Sequence, residues 1–184
     1  MMLALYIGIG LAFTIYVFTD VLSYLTYGHV SYDTIMGDYR HMQGGGFATA
    51  QLGFGQLLYG PISDRHGRRP ILFFGLFLYL GASIACALST SVEMLIVARL
   101  VQGFGAAAGP VMARAIVRDR FQGAKAASVM SFVVMVMGAA PLLAPMIGSL
   151  ILFIGEWQLI FWMLVMYSVV AVTVLTVFLT ESHP

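Results

Sequence analysis

The sequence predicts an all-α fold, a polytopic membrane protein of six transmembrane helices, and three observations predict it. Hydrophobic residues fill 60% of the 184 positions and charged residues only 9%, against about 25% charged in an average soluble domain. The apolar residues gather into six stretches of spanning character. The segments between these stretches alternate between strongly basic and poor in Lys and Arg. A soluble fold of this length cannot hide so much apolar surface, whereas lipid tails accept it directly.

A span needs roughly 20 mainly apolar residues, because the hydrocarbon core is about 30 Å thick and a helix rises about 1.5 Å per residue. The qualifying stretches are Leu3–Leu25, Gly45–Leu58, Pro70–Leu88, Val92–Val117, Ala126–Phe153 and Trp157–Leu179. The first has no basic segment ahead of it and no small-residue cleavage site, so it reads as a retained helix and not as a signal peptide. The second is short and rich in glycine. No low-complexity linker divides the chain, and residues 1–184 are expected to form a single six-helix transmembrane domain.

Orientation follows from charge. Arg65, Arg68 and Arg69 crowd segment 59–69, and Arg118, Arg120 and Lys125 crowd segment 118–125. Segments 89–91 and 154–156 have no Lys or Arg, and segment 26–44 sets Asp33 and Asp38 against Arg40. Basic loops stay in the cytoplasm, so both termini are expected there.

Several function classes fall away. The basic residues form no stripe interleaved with aromatics, so nucleic acid is not an expected partner. The single cysteine, Cys86, stands in an apolar run and reads as a small buried residue. His29, His41, His66 and His183 share no helix face with a Cys or carboxylate at ligand spacing, so no metal and no cofactor is expected. All four lie in loops or at the chain end, which leaves a membrane protease without its histidine. We expect no catalytic residue and no enzymatic activity.

Three motifs remain. Gly60-Pro-Ile-Ser-Asp64-Arg65-His-Gly67-Arg68-Arg69-Pro70 places glycines, an acid and bases where a tight turn between two packed helices needs them. Asp64 there can accept hydrogen bonds from backbone amides or from the nearby arginines. Arg99-Leu-Val-Gln102-Gly103-Phe-Gly105 puts Arg99, Gln102 and Gly103 on one helix face. An arginine about seven residues, or roughly 10 Å, into a membrane helix needs a partner or a watery cavity. Gly138, Pro141, Pro145 and Gly148 recur at spacings of 3, 4 and 3 and make one stripe, in which prolines free carbonyls and glycines open a groove.

The first motif resembles the signature between the second and third helices of the major facilitator superfamily. The second resembles that superfamily's fourth-helix segment. The third looks like the fifth-helix motif of drug:proton antiporters, and more narrowly of the bicyclomycin-resistance (Bcr/CflA) branch, with Ser149 where that branch usually has a second glycine. The resemblance runs nearly unbroken from Gly53 to Pro184 and fails over residues 21–46, where the proline expected after Thr19-Asp20 is missing. It implies one half of the superfamily's fold, the amino-terminal six-helix half. It also implies antiport of a small hydrophobic drug-like substrate against protons across the bacterial inner membrane. Partners would be the lipid bilayer and either a second six-helix half, missing here, or a second copy of the chain. A truncated reading frame is the simplest expectation. A non-transporting membrane scaffold or inactive fragment is the alternative. Asp20 and Arg99 fall at comparable depth in the outer half of the bilayer, and they are the candidate proton-coupling pair.

Overall fold

The computed structural model describes residues 46–178 of the chain. They form six helices: α1 (Gly46–His66), α2 (Arg68–Ala87), α3 (Val92–Ala106), α4 (Ala108–Arg120), α5 (Gly123–Ile154) and α6 (Gln158–Phe178). The expected helix Leu3–Leu25 and all but the last residue of the divergent segment 21–46 lie outside the described residues, as does Asp20.

α1, α4 and α5 outrun the apolar stretches, because hydropathy marks where lipid ends and not where hydrogen bonding ends. The expected loop 59–69 is therefore corrected. α1 continues through its signature residues as far as His66, eight positions beyond the expected Leu58. Arg65 and His66 occupy its last turn, where positive charge complements the carbonyl end of the helix dipole. The whole turn to α2 is then made by Gly67, whose φ of 90° puts it in the left-handed region that side chains disfavour. α2 starts at once with Arg68, two residues ahead of the expected Pro70.

The expected span Val92–Val117 carries an interruption at Ala107, where two helices meet. Pro110 has no N–H with which to bond the carbonyl of Ala106, so the ladder tightens there into a 3₁₀-like turn. The Ala107 N–H reaches both Gly103 and Phe104 carbonyls at 3.2 Å, with φ −61° and ψ −23°. The start of α3 is sharp. Ser91 Oγ accepts from the Met94 N–H at 3.2 Å, an N-cap bond, and Glu93 adds an acid to the first turn.

α2 is the hub. It packs most extensively against α3 and α6, and also against α4 and α1, while α5 touches α4 and α6. The α2–α3 seam depends on absent side chains. A Cβ on Gly105 would stand 2.7 Å from Tyr79 N and 2.8 Å from the Gly75 carbonyl, so the two backbones meet where only glycine fits. The main core gathers Tyr59, Leu72, Leu76, Tyr79, Met112 and Ile116 around that seam, and a second cluster joins Cys86, Leu95, Ile160, Phe161 and Leu164.

Large apolar side chains also line the outside: Phe54 is 71% exposed, Phe153 90% and Val177 70%. In water such a surface would drive aggregation, and in lipid it is the expected exterior. By length and composition, Arg68–Ala87, Glu93–Arg120 and Gln158–Val177 are candidate membrane spans among the described residues. The fold is all-α and multi-pass.

Candidate functional site

Two polar clusters stand out in this apolar bundle, one at its basic end and one at depth. At the basic end Arg68 is the centre, although the motif had directed attention to Asp64. Gly67 turns the chain so that the first residue of α2 folds back under the ends of α1 and α4. Arg68 is buried, and its fork is used in three directions. Nη1 donates to Asp64 Oδ1 at 2.5 Å and to Ser63 Oγ at 2.7 Å, and Nε donates to Asp119 Oδ2 at 3.0 Å. Ser63 commits its own hydrogen to the Gly60 carbonyl at 2.8 Å, which leaves its oxygen free to accept. Asp64 therefore bonds the next helix's arginine. Its side chain is 61% exposed, whereas that of Asp119 is 22% exposed. The remaining motif residues lie around this clasp. Gly60 is half-buried, Arg65 is exposed, and the Arg69 guanidinium sits 5.7 Å from the Phe73 ring centre.

Beside the clasp a groove of about 610 Å³ runs between α1 and α4, lined by Gly53, Gln56, Gly60, Asp64, Arg114 and Arg118 among others. Arg114 spans it, donating through Nε to the Pro110 carbonyl at 3.0 Å and through Nη2 to Gln56 Oε1 at 3.2 Å.

The second cluster joins α2, α3 and α6. Arg99, Gln102 and Gly103 are all buried, on the face their spacing predicted. Arg99 Nη1 donates to Gln102 Oε1 at 2.8 Å, and Gln102 Nε2 donates to Ser83 Oγ at 2.6 Å. The Cys86 thiol donates weakly to the same Gln102 oxygen at 3.9 Å. The Arg99 guanidinium carbon also lies 4.5 Å from the centre of the Phe161 ring, itself packed edge-on against Trp157. A permanent cation is thus seated among apolar helices on an amide oxygen and an aromatic face. It offers an attractive field to any acid brought near, but it cannot itself exchange a proton. Whether Asp20 approaches it lies outside the described residues.

Gly138, Pro141 and Pro145 fall within the continuous backbone of α5. Their side-chain surroundings lie outside the described residues. Gly148, further along the same helix, is buried. Sequence reasoning passed over Ser83 and Phe161, and it gave Ser63 and Asp119, which lie in segments that carry the resemblance, no role of their own. Asp119 carried a signal, an acid inside a run of bases. Ser83 and Phe161 carried none beyond membership of apolar runs.

The sequence profile of the Major Facilitator Superfamily matches residues 2–184. Multidrug resistance protein D of Escherichia coli (strain K12) is 34% identical over 161 residues, which is 86% of this chain and 39% of that protein. The bicyclomycin resistance protein homolog of Haemophilus influenzae is 36% identical over 134 residues, 72% of this chain and 33% of that protein. The chain spans between 33% and 39% of the length of the curated relatives it matches. Among solved structures, the human organic anion transporter MFSD10 (TETRAN) superposes with a TM-score of 0.77 at 21% identity, over 98% of this chain and 48% of that one. At that identity the likeness speaks for the fold alone, one half of the larger bundle. A profile that covers nearly every residue and a relative 34% identical over 86% of this chain lead to one conclusion: the chain belongs to the Major Facilitator Superfamily, a family of transporters.

Proposed function

We propose that the chain is the amino-terminal six-helix half of a drug:proton antiporter, one that expels small hydrophobic drug-like molecules across the bacterial inner membrane. Residues 1–184 act as a single domain with both termini in the cytoplasm. The observation that carries this reading is Arg99, a permanent cation held by Gln102 and Phe161 inside an apolar seam. Charge at membrane depth costs about 2.5–3.5 kcal/mol on insertion scales, and intramembrane ionisable residues mark ion and substrate pathways by default. Two relatives named for multidrug and bicyclomycin resistance support the substrate class.

In this reading Asp20 carries the proton. Proximity of Arg99 favours the carboxylate, and separation in a low-dielectric cavity favours proton uptake. The stripe Gly138, Pro141, Pro145 and Gly148 lines the seam with a second six-helix half, or with a second copy of this chain. The residues Gly60, Asp64, Arg65, Gly67, Arg68 and Arg69 hold the cytoplasmic ends of the helices together.

The test is efflux of a fluorescent hydrophobic cation, driven by an imposed proton gradient, from vesicles that contain the chain joined to a second half. Asp20→Asn is expected to lower gradient-driven efflux by about a hundredfold or more, the range typical of a lost proton-transfer group. Efflux at the parent rate removes Asp20 from the mechanism. If the parent chain shows no efflux, whether joined to a second half or paired with itself, the scaffold reading takes its place.

A further inference from the structure

We propose that Ser83 is a positioning residue that sets the direction of the Arg99 guanidinium through Gln102, an inference that rests on the role given to Arg99 above. The argument is a count of hydrogens. A hydroxyl has one, and Ser83 Oγ gives it to the Tyr79 carbonyl at 2.8 Å, one turn back along α2. Towards Gln102 the serine oxygen can then only accept. The group facing it must be the amide nitrogen, which stands 2.6 Å away. That choice turns the amide oxygen to Arg99 Nη1, 2.8 Å away, and towards the Cys86 thiol.

The opposite amide orientation fails twice. It would set two donors, amide N–H and guanidinium N–H, against each other. It would also set the amide oxygen against a hydroxyl whose hydrogen is already committed. Every bond in the chain therefore points the same way, from Arg99 to Gln102, from Gln102 to Ser83 and from Ser83 to the Tyr79 carbonyl. Such a chain cannot pass a proton out of Arg99, because arginine does not give one up. What it does is orient. The Phe161 ring gives the guanidinium a second contact, its centre 4.5 Å from the guanidinium carbon. Ser83 and Gln102 are fully buried and Arg99 is 5% exposed, which leaves no room for bulk water to stand in for a missing hydroxyl.

Cys86 gives a direct readout, because it is the single cysteine in the chain and its sulfur touches the Gln102 oxygen. In the full chain, Ser83→Ala and Gln102→Leu should each speed alkylation of Cys86 by N-ethylmaleimide about tenfold, a coupling within the usual range for contacting residues. The double variant should react no faster than Gln102→Leu alone. Ser83→Thr keeps the hydroxyl and its bond to the preceding turn, so it should react within about twofold of the parent. Effects that multiply in the double variant mean that Ser83 acts independently of Gln102, and the proposal falls.

A second arm uses the chain joined to a second half. Ser83→Ala should move the midpoint of the pH profile of efflux by about one unit, and Ser83→Thr should restore it. An unmoved midpoint in Ser83→Ala overturns the proposal. If the alkylation cycle is non-multiplicative but parent efflux ignores pH, the proton-coupled reading fails while Ser83 keeps its place as the residue that orients Gln102.

Discussion

Arg68, the first residue of α2, and Asp119, in the last turn of α4, are 51 positions apart in sequence and joined by a 3.0 Å hydrogen bond from Nε to Oδ2. The same guanidinium holds Asp64, but that carboxylate stands mostly in solvent. Partly buried charge-assisted bonds contribute about 1.5–3 kcal/mol, and exposed pairs about 0–1 kcal/mol. Asp119→Asn should therefore lower thermal stability in detergent more than Asp64→Asn does. Equal losses would mean that solvent reaches both pairs alike. Arg68→Lys keeps the charge but loses the fork, and it should resemble Asp119→Asn.

The α2–α3 seam makes a second test. Gly105→Ala places a methyl carbon within 2.8 Å of the Gly75 carbonyl and of Tyr79 N. Overpacking of this kind costs about 1–3 kcal/mol. Gly53→Ala, in α1, meets nothing within 4 Å, and the lost chain freedom should leave stability unchanged or higher by up to about 1 kcal/mol. In the same detergent, Gly105→Ala should melt below the parent and Gly53→Ala at or above it.

Phe161 can be examined without touching the charge. Phe161→Leu keeps an apolar side chain but removes the ring face beneath Arg99 and the edge contact with Trp157. A desolvated cation–π contact is worth about 2 kcal/mol, so the loss should be at least that large once packing is included. In an Arg99→Met background, the same substitution should cost less. An identical cost in both backgrounds would show that the ring is ordinary packing.

Topology is testable from the two ends of the helices. On a background lacking Cys86, a cysteine at exposed position 66 should react with an impermeant thiol reagent only from the cytoplasmic side. A cysteine at exposed position 154, the last residue of α5, should react only from outside. The reverse pattern would invert the whole chain.

How much of this was legible in the sequence differs from residue to residue. Membrane class came from the apolar runs, because lipid imposes a length and an apolar composition on any helix that crosses it. Arg99 and Gln102 could be paired by spacing alone, since both lie on one helix. The end of α1 could not be read. Asp64 and Arg65 look like loop residues, yet they sit in helix, because a helix satisfies its backbone with or without lipid around it. The interruption at Ala107 was readable from Pro110, which cannot donate to the preceding turn. Asp119, Ser83 and Phe161 acquire their roles only from neighbours on other helices, and periodicity within one segment holds no trace of that adjacency.

The polar chain between α2 and α3 bears on how the protein is made. A nascent α3 carries Arg99 and Gln102 into an apolar environment that penalises both. The groups that satisfy Gln102, Ser83 and through it the Tyr79 carbonyl, belong to α2, which leaves the ribosome first. Only residues 88–91 join the two helices. The acceptor is thus synthesised before the side chain that needs it and is tethered within a few residues of it. Biogenesis is then favoured when α2 and α3 enter the bilayer together as a hairpin, and a longer tether between them would delay that entry without altering any contact in the finished fold.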